Sequence, residues 1–431
     1  MPRKHTTMTR CACVVLLLAV AASSASSGDA TARSTRDSLT LRVQELSANG
    51  LFREAVRVME MIPSDSLTGR GCAIAAAAYA GVGDYQKSLR VLKRAVALDP
   101  GATGYRYQLA RQLAAGGEIR DAAAQYELLT RGDSAFFPAL TSYGALLVEE
   151  GDYRAAAPLF ARTLSSTPRD FLANYYYGKC LTRIGGSDSA KTFLAASVSL
   201  NPSYAPAINL LASLYFENER YDEALRLYEK LCGLRPRDPD HWYKAGLCQE
   251  KLEQHRLAID YFRRATALDT SEVMYRAHLG QLFFATGLLD SSVVEYRNAI
   301  GLDATNPVLY LNLGLCLARL DSTEAAVTAF RRGSAAQQPE KLALLYTQWG
   351  AVLYNKKRYR EARTAYAAAL RFDPSNADAN FFLAAADEQT GRPEAAVAHY
   401  RRFLSLTERE PRPNEKREHA RQRIAAHAGR K

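Results

Sequence analysis

The chain of 431 residues contains no C-x-x-C pair, no H-E-x-x-H, no G-x-x-x-x-G-K-S/T and no G-x-S-x-G. Those absences leave no dithiol or zinc-protease signature, no phosphate-cradling loop and no nucleophile elbow. The seven histidines (His5, His241, His255, His278, His399, His419 and His427) are scattered without metal-ligand spacing. Paired acids such as Glu149-Glu150 fall at helix ends, where solvation is their simplest role. The expectation is a protein that is not an enzyme, with no catalytic residues, no cofactor and no metal.

Long hydrophobic runs are also lacking. Residues 11–22 form the unbroken apolar stretch near the start, and it is shorter than the roughly 20 residues a bilayer-spanning helix requires. It follows "MPRKHTTMTR", with Arg3, Lys4 and Arg10 and no acid, and precedes the small residues "SSASSGDA". That order of basic, apolar and small segments is the pattern of a secretory signal peptide, residues 1–25, with cleavage expected after Ala25. The alternatives are an uncleaved anchor or a buried helix. Cys11 and Cys13 open the apolar run instead of closing it, which argues against a lipid-modified cysteine.

Five cysteines remain after that segment, and an odd number cannot all pair within one chain. Acids are in deficit as well, with 45 against 56 Lys and Arg and a net charge of +11. The charge is concentrated at the ends: the first ten residues carry +3 and residues 411–431 carry +5, leaving about +3 for everything between.

What the chain does have is a rhythm. The phrase "GDYQKSLRVLKRAVALDP", residues 83–100, has relatives downstream, and the equivalent prolines Pro100, Pro168, Pro202, Pro236 and Pro374 are separated by 68, 34, 34 and 138 residues. The last interval is four periods of 34 with two extra residues, placing a small insertion near Gln338 to Leu342. Small residues recur in the same phase at Ala122, Ala156, Ala190, Ala224, Ala258, Ser292 and Ala326, then at Ala362 and Ala396 after the same slip. Gly144, Gly178, Gly246, Gly280, Gly314 and Gly350 form another column, with Ala212 in the vacant unit. Four places after each member of the Ala column stands a large residue, among them Tyr126, Phe160, Leu194, Tyr228, Phe262, Tyr296, Phe330, Tyr366 and Tyr400.

Each unit reads as two helices. In residues 344–376 apolar side chains recur at helical spacing in Tyr346, Trp349, Gly350 and Leu353, and again in Tyr359, Ala362, Tyr366, Ala369 and Leu370. "NKKRY" lies between them, where sister units read "EEGDY" or "RIGGS" and glycine tolerates the positive φ that ends a helix. Small residues at the Gly and Ala columns let two backbones approach while the large residue fills the space beside them. Proline at the end of the unit stops the second helix.

The pattern W-x2-L-G-x2-Y…A-x3-F…P over 34 residues resembles the tetratricopeptide repeat. Trp242, Gly246, Ala258, Phe262 and Ala265 carry it in one unit, and Leu140, Tyr143, Gly144, Leu147, Ala156, Phe160 and Pro168 in another. The resemblance implies an all-α fold, a right-handed superhelical solenoid of stacked antiparallel helix pairs. Eleven starts lie near residues 36, 69, 103, 137, 171, 205, 239, 273, 307, 343 and 377. The first keeps Gly50, Phe52 and Ala55 and is otherwise degenerate. The expected organisation is a signal peptide over 1–25, a linker and degenerate repeat over 26–68, a solenoid of about ten repeats over 69–410, and a basic segment over 411–431. That last segment reads as a capping helix with Asn414 as N-cap after Pro413, covering the final repeat with Ala420 and Ile424. The alternative is a basic tail that meets acidic lipid headgroups, a peripheral membrane association, or nucleic acid; export argues against the latter.

Cys180, Cys248 and Cys316 share one place in the first helix of their units, a repeat or more apart and beyond the roughly 7 Å Cα separation a disulfide allows. Buried free thiols are expected there.

In the family the first helix of each unit lines a concave groove, and its exposed positions lie one, four, eight, eleven and twelve residues after the unit start. The resemblance therefore implies a groove containing Tyr107, Arg111, Tyr175, Lys179, Thr182, Arg183, Asn209, Phe216, Glu217, Tyr243, Glu250, Lys251, Gln281, Phe284, Arg319, Tyr354, Asn355, Phe381 and Gln389. Rings interleaved with cations and amides suit peptide recognition. Two specialised uses of the repeat do not match. The chaperone-binding form grips a terminal carboxylate with Lys and Asn, where this chain has Tyr175 and Lys179. The sugar-transferring form carries an Asn ladder, where this chain reads Gln108, Ser142, Tyr176, Leu210, Lys244, His278 and Asn312.

The expected function is a non-enzymatic scaffold or assembly factor that binds a protein or peptide in the bacterial periplasm or at the outer membrane. The alternatives are a carbohydrate or envelope-polymer binding accessory, or a repeat partner of a separately encoded envelope enzyme. Cleavage after Ala25 predicts that the chain recovered from its native cells begins at Ser26, as read by mass spectrometry of the intact N-terminus. Recovery of the full-length chain in the membrane fraction would identify an anchor instead.

Overall fold

The computed structural model describes residues 28–131, 136–335, 339–408 and 415–428. The expected signal peptide and the Asn414 cap lie outside the described residues. Among the described residues there are 23 α-helices, one short 3-10 turn (Ser64–Ser66) and no strand.

The chain divides into two compact units, one ending at Ala207 and the other beginning at Ile208. In the first, α1 (Gly28–Ala48) pairs with α2 (Phe52–Met59), α3 (Gly69–Gly81) with α4 (Tyr85–Leu98), α5 (Thr103–Ala115) with α6 (Ile119–Thr130), α7 (Phe137–Glu149) with α8 (Tyr153–Ser166), and α9 (Phe171–Ile184) with α10 (Ser187–Leu200). The boundary falls inside α11 (Ala205–Glu217), which is followed by α12 (Tyr221–Leu234). The second unit continues with the pairs α13 (Pro239–Lys251) and α14 (His255–Leu268), α15 (Val273–Ala285) and α16 (Leu289–Leu302), and α17 (Pro307–Arg319) and α18 (Thr323–Ser334). It ends with α19 (Pro339–Asn355) and α20 (Tyr359–Phe372), α21 (Ala377–Gln389) and α22 (Pro393–Leu406), and the single helix α23 (Glu415–Ala428). Each unit is a helical-repeat solenoid of antiparallel pairs, each pair packed on the next. At 17 residues α19 is longer than the 13-residue α17, which accommodates the slip in the repeat.

The two periodic columns meet inside each pair. Ala122, Ala156, Ala190, Ala224, Ala258, Ser292, Ala326, Ala362 and Ala396 have no exposed surface, and Phe160, Leu194, Phe262, Phe330, Tyr366 and Tyr400 are equally inaccessible. A Cβ placed on Gly144 would lie 2.6 Å from the Phe160 ring, and one on Gly314 2.5 Å from Phe330. Contacts that short do not occur between real carbon atoms, so the ring's volume excludes any side chain at these two places. Where serine replaces alanine, its hydroxyl donates across the pair: Ser292 Oγ to the Gly280 carbonyl at 2.7 Å and Ser88 Oγ to the Ala76 carbonyl at 3.0 Å. A buried hydroxyl is therefore satisfied without widening the contact.

Loop chemistry sets the register. Asn201, Asp269, Asp303 and Asp373 each accept from the backbone N–H two residues on, which turns the chain out of the second helix. Asp170, Asn306 and Asn376 then cap the following first helices, and Pro239 and Pro307 occupy first-turn positions where no donor is needed. Inside each pair one turn residue has positive φ. It is glycine at Gly83, Gly117, Gly151, Gly185, Gly287 and Gly391, but Glu219, Glu253, Asp321 and Lys357 adopt φ of 58–60° at the same place in their repeats.

The second unit closes on α23. Ala420 is fully buried against Phe381, Tyr400 and Phe403, with Ile424 packed beside it. Arg423 Nε donates to Glu388 at 2.8 Å, His427 Nε2 lies 2.8 Å from the same carboxylate, and Tyr400 Oη donates to it at 3.3 Å. Burial pushes the Glu388 carboxyl up, but these hydrogen bonds outweigh it and hold the group below the ordinary range.

A left-handed conformation at a non-glycine residue is costly, so Glu253→Gly is expected to stabilise the second unit by about 0.5–1 kcal/mol, net of glycine's greater freedom when unfolded. A rise in the urea midpoint would show it.

Candidate functional site

First helices of consecutive repeats lie beside one another within each unit and are tied by side-chain bonds between residues 35 apart. In the first unit Tyr107 Oη and Ser142 Oγ are 2.9 Å apart. In the second, Lys244 Nζ donates to Asn209 Oδ1 at 3.1 Å, Tyr243 Oη lies 3.4 Å from His278 Nε2, Tyr275 donates to Asp240, and Arg319 donates to the Phe284 carbonyl at 3.4 Å. One period plus one residue is the offset that brings a side chain against the adjoining helix. It also decides which groove positions stay open.

In the first unit Tyr107 is half-buried, 5.3 Å from the Phe136 ring, with exposed Arg111 lying 5.8 Å over its own ring. Tyr175 is wedged between Tyr176 at 5.0 Å and Tyr204 at 5.2 Å, and burial pushes its phenol up to about 12. Lys179 and Thr182 are half-buried; Arg183 is exposed, with its guanidinium 5.9 Å over Tyr153.

In the second unit Asn209 is engaged by Lys244, and Phe216 stands edge-on to Tyr221 at 5.3 Å. Glu217, Lys251, Gln281, Arg319, Asn355 and Gln389 are exposed, and Glu250 is half-buried. Tyr354 packs on Tyr359 at 5.1 Å and on Phe382 at 6.3 Å.

Two expected groove residues are buried. Tyr243 retains 8% of its surface because Tyr275, His278 and Phe262 cover it at 4.9, 5.4 and 5.6 Å; burial pushes its phenol up to about 12 and lowers the His278 imidazole. Phe381 retains 9%, enclosed by Phe403, Tyr400 and, from α23, His419. In both cases the side chains that cover the ring belong to other helices, which position in the repeat does not reveal.

The structure brings Gln281 and Phe284 together with three residues not placed in the groove by their register. Tyr296, Asn312 and Leu315 join them around a cavity of about 240 Å³. Burial raises the Tyr296 phenol, partly offset by a hydrogen bond with the Asn312 side chain. Arg319 adjoins through Phe284, its guanidinium 4.8 Å over the ring. An aromatic wall and two carboxamides thus converge on one recess, with a guanidinium stacked on its Phe284 ring. Asn312 carried a faint signal as the single asparagine of its column, whereas Tyr296 belonged to the structural ring column.

Cys72, Cys180, Cys232, Cys248 and Cys316 are free and buried, and burial pushes the thiols of Cys180, Cys232 and Cys248 up to about 11, 12 and 12, so they are held as inert thiols. Among the described residues no cluster of three His, Cys, Asp or Glu could hold a metal, and no helix is long and apolar enough to cross a membrane.

A family profile described as Tetratricopeptide repeat matches residues 209–273 and 347–413. Those segments are tetratricopeptide repeats. A second profile, Anaphase-promoting complex, cyclosome, subunit 3, matches residues 149–231. The chain is 26% identical over 188 residues to the BBSome complex member BBS4 homolog of Drosophila melanogaster, covering 43% of this chain and 38% of that protein. It is 24% identical over 177 residues to the TPR repeat-containing protein YpiA of Bacillus subtilis, covering 41% of each. These matches span well under two thirds of the length of either relative. Among solved structures, the C-terminal part of a TPR repeat-containing protein from Cytophaga hutchinsonii superposes with a TM-score of 0.50 at 15% identity, covering 56% of this chain and 99% of that one. The likeness is one of fold.

Tyr243→Ala is expected to act through packing: it should cost about 3 kcal/mol of stability, as removal of a buried ring does. The measurement is a fall in urea midpoint; an unchanged midpoint would return Tyr243 to the open face.

Proposed function

We propose that this TPR scaffold binds an extended peptide or protein segment along its first helices, and that it does so after export, in the bacterial periplasm or at the outer membrane. The recess of Gln281, Phe284, Tyr296, Asn312 and Leu315 beside Arg319 carries the peptide reading. Phe284 and Leu315 offer an apolar seat for one side chain. Gln281 and Asn312 supply donors and acceptors of the kind that peptide groups pair with, and the Arg319 guanidinium meets carbonyl or carboxylate oxygens. The recess is small enough to take one residue of a ligand, so affinity would accumulate over successive repeats. The basic, apolar and small-residue order of residues 1–25 supports the cellular location.

Gln281 and Arg319 are exposed, so replacing both with alanine removes polar contacts at little expense to the fold. The chain is expected to retain peptides on an array in preference to glycans, and the Gln281→Ala, Arg319→Ala variant to bind the selected peptide at least tenfold more weakly. Selection of glycans over peptides, or equal peptide affinity in the variant, would overturn the reading.

A further inference from the structure

Two positions in the last two repeats, Asp387 and Arg363, depart from largely apolar columns, and both line one cleft with further basic residues. Asp387 stands where sister units place Leu113, Leu147, Leu317 and Leu353; Arg363 stands where they place Ile259, Val293 and Val327. Arg371 stands where sister units place Gly233, Ala267 and Gly301 and, in one case, Arg131, and His399 occupies a column that varies from Ala329 and Ala365 to Glu295 and Tyr261. Together with Arg392 they surround a cavity of about 470 Å³ between α20 and α22, floored by Leu383 and small residues including Ala368 and Ala395.

Asp387 is only 3% exposed, and the one basic side chain of the described residues within 4 Å of it is His399, whose Nε2 lies 3.8 Å away. The Arg392 backbone N–H donates to the Asp387 carbonyl at 2.8 Å, which fixes that arginine's main chain to the same spot. Burial pushes the Asp387 carboxyl up, and the nearby charges of His399, Arg363 and Arg392 oppose it. Nearby, Arg358 is paired with Glu361 and Arg423 with Glu388. Arg363, Arg371 and Arg392, by contrast, make no ion pair or side-chain hydrogen bond with the described residues.

Packing does not account for this arrangement. A carboxylate at a leucine position is costly to bury, and three guanidinium groups around one cavity repel each other with a single acid to offset them. An anion in the cavity would relieve that repulsion and supply acceptors for the guanidinium forks. We propose that the cleft binds a small oxyanion of more than one negative charge, of the phosphate or polycarboxylate class, gripped by Arg363, Arg371 and Arg392, with Asp387 beside His399 in the cleft wall. The volume matches that of small-molecule sites. Asp387 lies roughly 160° around α21 from the exposed groove residue Gln389, so the site is separate from the peptide recess and does not depend on it.

The test is calorimetric titration of the full chain, at constant ionic strength in sodium chloride, with inorganic phosphate, pyrophosphate and citrate. Saturable binding of at least one is expected, and comparison of the phosphates with citrate shows which class of oxyanion the site prefers. The Arg363→Val, Arg371→Ala variant restores residues that sister repeats carry, so it should fold with an unchanged or higher urea midpoint while binding at least tenfold more weakly. Arg371→Ala alone, at an exposed position, serves if the double variant does not fold, with a smaller loss of the same sign expected. Absence of saturable binding to all three probes, or equal affinity in the folded variant, would overturn the proposal.

Discussion

Everything in this molecule depends on the contact between a small residue in the first helix of a repeat and a large one in the second. Gly144 against Phe160 and Gly314 against Phe330 leave no room for a β-carbon, so the two helices sit at a separation set by one ring. Dispersion and burial concentrated there stabilise a pair that neither helix could form alone, because each presents its apolar side to the other. The buried Ala column beside it keeps the second backbone equally close. Stacking then follows, since a single pair still leaves apolar surface that the next must cover.

The stack has its own bonding scheme, distinct from that of the pair. Pairs are apolar inside, whereas adjoining first helices are linked largely through polar side chains 35 residues apart, as in Lys244 with Asn209 and Tyr107 with Ser142. Polar atoms along the first helices are thus partly consumed by structure, and what remains for a ligand is what those bonds leave open. At the end of the second unit the same spacing links Glu388 to Arg423, so α23 occupies the place a further first helix would take. Two of its basic residues, Arg423 and His427, are structural partners of the half-buried Glu388, and the positive charge of the C-terminal segment cannot be read as tail chemistry alone.

In a repetitive molecule, departures from repetition carry the information. The Gly, Ala and ring columns state the fold repeatedly and therefore say little about ligands. Asp387 at a mostly leucine position, Arg363 at a mostly apolar one and Asn312 as the single asparagine of its column say more, because nothing in the packing scheme requires them.

The sequence by itself determined the helix pairs, their turns and the identity of the buried columns. These follow from contacts within about 34 residues, repeated with the same chemistry, so periodicity exposes them; even the four non-glycine turn residues stand where the glycine column places them. Only the tertiary structure decided which side chains are open. Tyr243 and Phe381 occupy nominal groove positions yet are covered by Tyr275 and Phe403, side chains of other helices whose size and rotamer no column specifies. The convergence of Gln281 with Asn312, and of Arg363 and Arg371 with Asp387, was likewise settled by packing between neighbouring repeats. A repeat pattern encodes the average neighbour, whereas a site is made by the particular one.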